Sequence, residues 1–189
     1  MTTAVSQVGI YNRALQRLGA GRLTSVSQDH KNARSCTAAY DFVRRRLLRR
    51  YAWGFAKKRV SVAKDASATT WGSLNKYAKP NDFIRLLRYR DERVDWEIEG
   101  AYIITADASP LQFRYIYDVE DTGAFDPYFV ELLACLLAYE ICEDVTGSVG
   151  KRKVLATDFQ MIEGEAMRAN AFEKDADVPL EDDFILAMR

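Results

Sequence analysis

Histidine is almost missing from this chain: His30 is the only one in 189 residues. Chemistry that needs several imidazoles is therefore not expected. Cysteine is scarce too, three residues with no CxxC pair. An odd, small number argues for a reducing compartment and against a disulfide scaffold or a structural zinc site. No apolar run approaches the roughly 20 residues needed to span a bilayer. The first 30 residues lack a continuous apolar stretch after a basic start, so no secretory signal is expected. There is no GxxxxGK[ST], GxGxxG or GxSxG, which removes the usual phosphate loops and the nucleophile elbow. Neither an internal repeat nor a low-complexity segment is present.

What remains suits one domain with a small subdomain, 48% apolar and 29% charged. Net charge is also lacking, but the balance hides a split. Residues 1–60 hold 13 Lys/Arg against 2 Asp/Glu, a net +11, and residues 61–189 hold 14 against 25, a net −11. Such a division suggests a basic surface for nucleic acid or an acidic partner. It equally suggests that the basic part of one copy meets the acidic part of another.

The hydrophobic period divides the chain. Val8, Tyr11, Leu15 and Leu18 recur at helical spacing, predicting a helix from about Thr3 to Leu18 that Gly19 and Gly21 stop. Ser27 or Asp29 is the expected cap of a second helix, from about His30 to Tyr51. Its buried stripe is Ala33, Cys36, Tyr40, Val43, Leu47 and Tyr51, with most arginines off it. From Phe55 to Asp118 the period changes to two. Ile84, Leu86 and Arg88 fall on one strand face, and Phe83, Leu87 and Tyr89 on the other. Val94, Trp96 and Ile98 predict a half-buried strand that turns at Gly100 into Tyr102–Thr105. Leu111, Phe113, Tyr115 and Tyr117 predict another. Asp126-Pro127 opens a third helix that is apolar nearly all round and ends at Gly147. A fourth runs from about Val149 to Lys174.

The expected fold class is α+β: a four-helix bundle-like α domain, with a small, mainly antiparallel β subdomain inserted between helices 2 and 3. An extended C-terminal tail follows. The boundaries are a first helical pair over 1–54, the insert over 55–120, a second helical pair over 121–175 and the tail over 176–189.

Few residues invite catalysis. His30 stands beside Asp29 without a nucleophile motif. Cys135 and Cys142, seven apart on one helix, lie about 10.5 Å apart by helical rise, beyond the roughly 7 Å limit for a disulfide. They read as small core residues. Glu140, Glu143 and Asp144 on helix 3 and Glu163 and Glu165 on helix 4 are the carboxylates a glycoside hydrolase would draw on. They equally fit polar helix edges. No catalytic residue, cofactor or metal is assigned, and the chain is not expected to be an enzyme.

The strongest charge signal is Arg44, Arg45 and Arg46 with Arg49 and Arg50. One reading has them contact nucleic-acid phosphates, with Tyr51, Trp53 and Phe55 as stacking residues. The other has the aromatics anchor the core and the arginines meet carboxylates on a neighbour, where bidentate pairing suits arginine. The second reading is the stronger.

A set of motifs in fixed order then points to a family. They are Asn12-Arg13-Ala14-Leu15 with Leu18-Gly19; Tyr40 through Leu47-Leu48 into Trp53-Gly54-Phe55-Ala56; and Lys79-Pro80-Asn81-Asp82-Phe83-Ile84-Arg85. Gly100-Ala101-Tyr102-Ile103-Ile104, Arg114-Tyr115-Ile116, Phe125-Asp126-Pro127 and Thr146-Gly147-Ser148 follow. Over roughly residues 5–175 the chain resembles the head-to-tail adaptors of short-tailed bacteriophages, of the tail tubular protein A or head-completion type. The resemblance implies a structural virion protein at the capsid vertex, made in the bacterial host cytoplasm. It implies a ring, typically of twelve copies, beneath the portal protein. Such a ring extends the channel for double-stranded DNA, which passes non-specifically, and it carries the tail nozzle protein; no membrane is involved. The C-terminal segment would reach the portal, which here places Glu181, Asp182, Asp183, Phe184, Ile185, Leu186 and Met188 in a docking tail. Arg44, Arg45, Arg46, Arg49 and Arg50 are then expected at subunit or portal contacts.

Overall fold

A computed structural model describes residues 5–67, 69, 72, 74–89 and 95–172. The docking tail, from Glu181 to Met188, lies outside the described residues, as does Val94. The fold is α+β. Among the described residues four helices, α1 (Gln7–Leu18), α2 (Lys31–Arg50), α3 (Pro127–Thr146) and α4 (Val149–Phe172), are joined by six strands placed between α2 and α3.

α3 forms the centre of the helical part because its sequence is apolar on every side. Phe129, Leu132, Leu133, Ala134, Cys135, Leu137, Ala138 and Cys142 are all fully buried. Helices α1, α2 and α4 pack around it. Its ends follow local rules. The Asp126 carboxylate accepts from the backbone N–H of Tyr128 at 2.8 Å and of Phe129 at 3.3 Å, with Pro127 at the first helical position. Gly147 adopts a left-handed φ of 63° that closes the last turn.

Two helix starts differ from the sequence expectation. α1 begins at Gln7 rather than Thr3, because the Ser6 hydroxyl accepts from the Gly9 N–H at 3.2 Å and caps it there. α2 is capped by His30 itself, whose Nδ1 accepts from the Asn32 N–H at 3.1 Å. Asp29 pairs instead with Arg34.

The β insert is two sheets rather than one. The first has the order β1 (Lys57–Val62), β6 (Leu111–Tyr117), β3 (Phe83–Tyr89). The second has the order β2 (Asn75–Ala78), β5 (Tyr102–Thr105), β4 (Trp96–Glu99). All pairings are antiparallel. Leu111, Phe113 and Tyr115 of the first sheet form a separate core with Tyr77 and Ile103 of the second. Ile116 and Ile84, on the opposite face of the first sheet, join the helical core. The first sheet is thus the middle layer, contributing apolar residues to a core on each side.

The alternation expected along β3 is broken by two register shifts, between Phe83 and Arg85 and between Leu86 and Arg88. Each bulge adds a residue to one side of the strand. As a result Phe83 and Leu86 face the inter-sheet core, while Ile84 and Leu87 face the helices. The hairpin at Gly100 forms with φ of 54°, but β4 is not half-buried. Trp96 and Ile98 are 44% and 40% exposed, and Glu97 and Glu99 on the other face are exposed too, so no second layer covers either face of β4.

Candidate functional site

The arginine run lies on the C-terminal half of α2, where cations also suit the negative end of the helix dipole. Its side chains radiate to four different elements of the same chain. Arg44 pairs with Asp118 at 3.0 Å and with Asp41 at 3.4 Å, and it donates to the Val119 carbonyl. Arg45 reaches the other oxygen of Asp118 at 3.4 Å. Arg46 pairs with Glu140 of α3 at 2.7 Å. Arg49 donates to the Ile84 carbonyl of β3 at 2.9 Å. Arg50 pairs with Glu163 of α4 at 2.8 Å, beside the Tyr51 and Phe159 rings. The run is therefore a hub that fastens the first sheet, α3 and α4 to α2.

Burial separates the five. The Arg44 side chain is 4% exposed, so it is an internal group in this fold and not a surface contact. Its placement departs from the helical stripe because α2 is covered there by the segment that follows β6. Arg45, Arg46 and Arg50 are 59%, 47% and 50% exposed and keep free surface. Phe42, one helical turn before Arg45 and Arg46, is 67% exposed. The Tyr40 hydroxyl is buried without a partner. Burial pushes its pKa up to about 12, against the pull of the nearby Arg44 charge.

The aromatics after α2 are core anchors. Trp53 is buried, donates its indole N–H to the Leu47 carbonyl at 3.2 Å and meets Phe129 edge-on at 5.1 Å. Phe55 meets both Phe125 and Phe129. A cavity of about 210 Å³ lies between these rings and Asn170.

The carboxylates singled out for hydrolysis are mostly engaged by cations. Glu140 is held by Arg46, Glu143 by Arg152 at 2.5 Å, and Glu163 by Arg50 and the Tyr51 hydroxyl. Asp144 accepts from the Ser35 hydroxyl at 3.3 Å. Glu165 is exposed on α4. Cys36, Cys135 and Cys142 are buried free thiols. Among the described residues no cluster of three or more His, Cys, Asp or Glu could hold a metal ion. No described helix is long and apolar enough to cross a membrane.

One feature escaped the sequence reading. A cleft of about 680 Å³ beside α1 is lined by Arg13, Arg17, Arg22 and Glu131. The Glu131 carboxylate takes Arg13 at 2.6 Å and also Arg17. The four-residue spacing of Arg13 and Arg17 was a visible signal, but their shared partner on α3 was not. In comparisons with known proteins, no family model and no curated protein matches this chain.

Proposed function

We propose that this chain is a head-to-tail connector of a bacteriophage virion. Copies would form a ring, of twelve by the resemblance, beneath the portal protein. The ring would extend the DNA channel and seat the tail nozzle protein. The observation that carries this reading is a pair of unlike exposed patches on two different helices that flank α3. On α2, Phe42 stands with the half-exposed Arg45 and Arg46. On α4, Val154 and Met161 are about 60% exposed, at 59% and 60%, with the exposed Glu165 four residues beyond Met161. A closed ring of identical subunits joined head to tail needs two different, complementary surfaces. Arginine beside an exposed aromatic is a composition that interfaces favour. The internal engagement of the arginine run also weighs against the second helix as a free nucleic-acid reader.

The test is direct. The full chain is mixed with portal rings and imaged by negative stain. An added ring of density on one face of the portal is the expected result. Portal rings that stay bare, or a solitary chain that turns over a substrate, would overturn the reading.

A further inference from the structure

The strand register gathers a second set of cations that the sequence scatters over more than fifty residues. Arg59 on β1 lies directly opposite Arg114 on β6, and Arg114 directly opposite Arg88 on β3. Arg85 lies opposite Ile116, one step closer to α2 on the same face. The three strands read KKRVSV, FIRLLRY and LQFRYIY. They carry six cations and no carboxylate.

This arrangement is costly for an isolated sheet, because like charges directly opposite on neighbouring strands repel. Elsewhere in the molecule such charges are neutralised, as along α2. Here they are not. Arg59, Arg85 and Arg114 have no ion pair among the described residues, and the Nε atoms of Arg85 and Arg114 are buried without a hydrogen-bond partner. Two carboxylates that flank these strands in sequence are already taken. Asp118 serves Arg44 and Arg45, and Asp82 serves Lys58 at 2.6 Å and the Tyr115 hydroxyl at 2.8 Å.

We propose that this face of the β1–β6–β3 sheet binds the phosphate backbone of double-stranded nucleic acid without reading its sequence. Arginines opposed on neighbouring strands, whose backbones lie about 4.8 Å apart, form a row of cations that a linear polyanion neutralises. Phosphate contacts of this kind position a duplex and carry no base information. Phe113 and Tyr115 of the central strand belong to the other face. A surface for single strands would present rings for base stacking. The arginines that bind would then be those of the sheet, not those of the second helix. This assignment does not depend on ring formation, and its failure would leave the connector reading standing.

The experiment uses the full chain and two 30-base-pair duplexes of unrelated sequence, titrated by fluorescence anisotropy between 50 and 200 mM salt. The wild type should bind both equally, more weakly as salt rises. The double variant Arg59→Gln/Arg114→Gln should bind with a log–log salt slope shallower by about two. Its loss of affinity across that salt range should be smaller by roughly tenfold. Arg152→Gln, which removes one cation elsewhere, should behave as wild type. The melting temperature of the double variant should not fall, because repulsion between opposed cations is relieved. The proposal is overturned if the double variant binds duplex as the wild type does. It is also overturned if the wild type ignores duplex while binding polyglutamate, which would make an acidic protein segment the partner.

Discussion

Arg44 reaches from α2 to Asp118 at 3.0 Å, and the pair joins the helical part to the segment leaving the central strand of the first sheet. The two groups are close enough to pair but are not aligned as a hydrogen bond, since Asp118 Oδ1 has no such partner. The same arginine satisfies the Val119 carbonyl. Replacing one member of a buried pair strands the other, at a cost of about 3–5 kcal/mol. Because Arg45 stays on the other oxygen of Asp118, Arg44→Met should lower stability by less than that full range, but by more than about 1 kcal/mol, in urea unfolding. Arg46→Gln, which breaks a half-exposed pair with Glu140, should cost about 0–1 kcal/mol. Equal losses for the two would contradict the burial difference.

Asp82 gives the fold a pH dependence. Burial pulls its carboxyl up, but hydrogen bonds from Lys58 and the Tyr115 hydroxyl outweigh it and hold the group below its ordinary 3.8. Folding therefore favours the ionised form. The resulting stability is complete well above pH 3.8 and is lost as pH falls through the lower folded value. The urea midpoint of the wild type should fall more steeply between about pH 5 and 2.5 than that of Asp82→Asn. Parallel curves would remove Asp82 from the account.

The thiols should be silent in the native protein. Burial pushes Cys36 and Cys135 up to about 11. At pH 8 only about one in a thousand of each is thiolate. Native protein should leave a disulfide reagent unreacted over minutes, and denatured protein should titrate all three cysteines. Rapid labelling of the folded chain would contradict the burial.

The connector reading makes its own demand on the tail. Deleting 176–189 should weaken binding to portal rings, read as fewer rings carrying added density in negative stain. Undiminished portal binding would remove the tail from the docking role.

The parts of this fold readable in advance are those governed by neighbours in sequence. The boundaries of α3 follow from Asp126, Pro127 and Gly147, each acting within its own turn. Its central place follows from an unbroken apolar circumference. The two bulges in β3 were invisible because nothing in Phe83-Ile84-Arg85-Leu86-Leu87 marks an extra residue; packing between two unlike cores selects them. The exposure of Trp96 was invisible because alternation separates two faces of a strand but does not say whether another layer covers either one. The arginine run was legible as a charge cluster. Its partners, Asp118, Glu140, Ile84 and Glu163, lie 35 to 113 positions away in other elements, and only the tertiary fold assigns them.

The chain leaves the helices at Trp53 and returns at Phe125, and the rings of Phe55 and Phe125 sit 5.8 Å apart in one aromatic cluster. Departure and return thus share a single doorway. A module that hangs from one doorway can lengthen, shorten or be exchanged for another without re-threading the scaffold behind it, provided the fasteners from Arg44, Arg45 and Arg49 find new anchors. The helical part can then stay constant while the suspended part adapts to whatever it must meet.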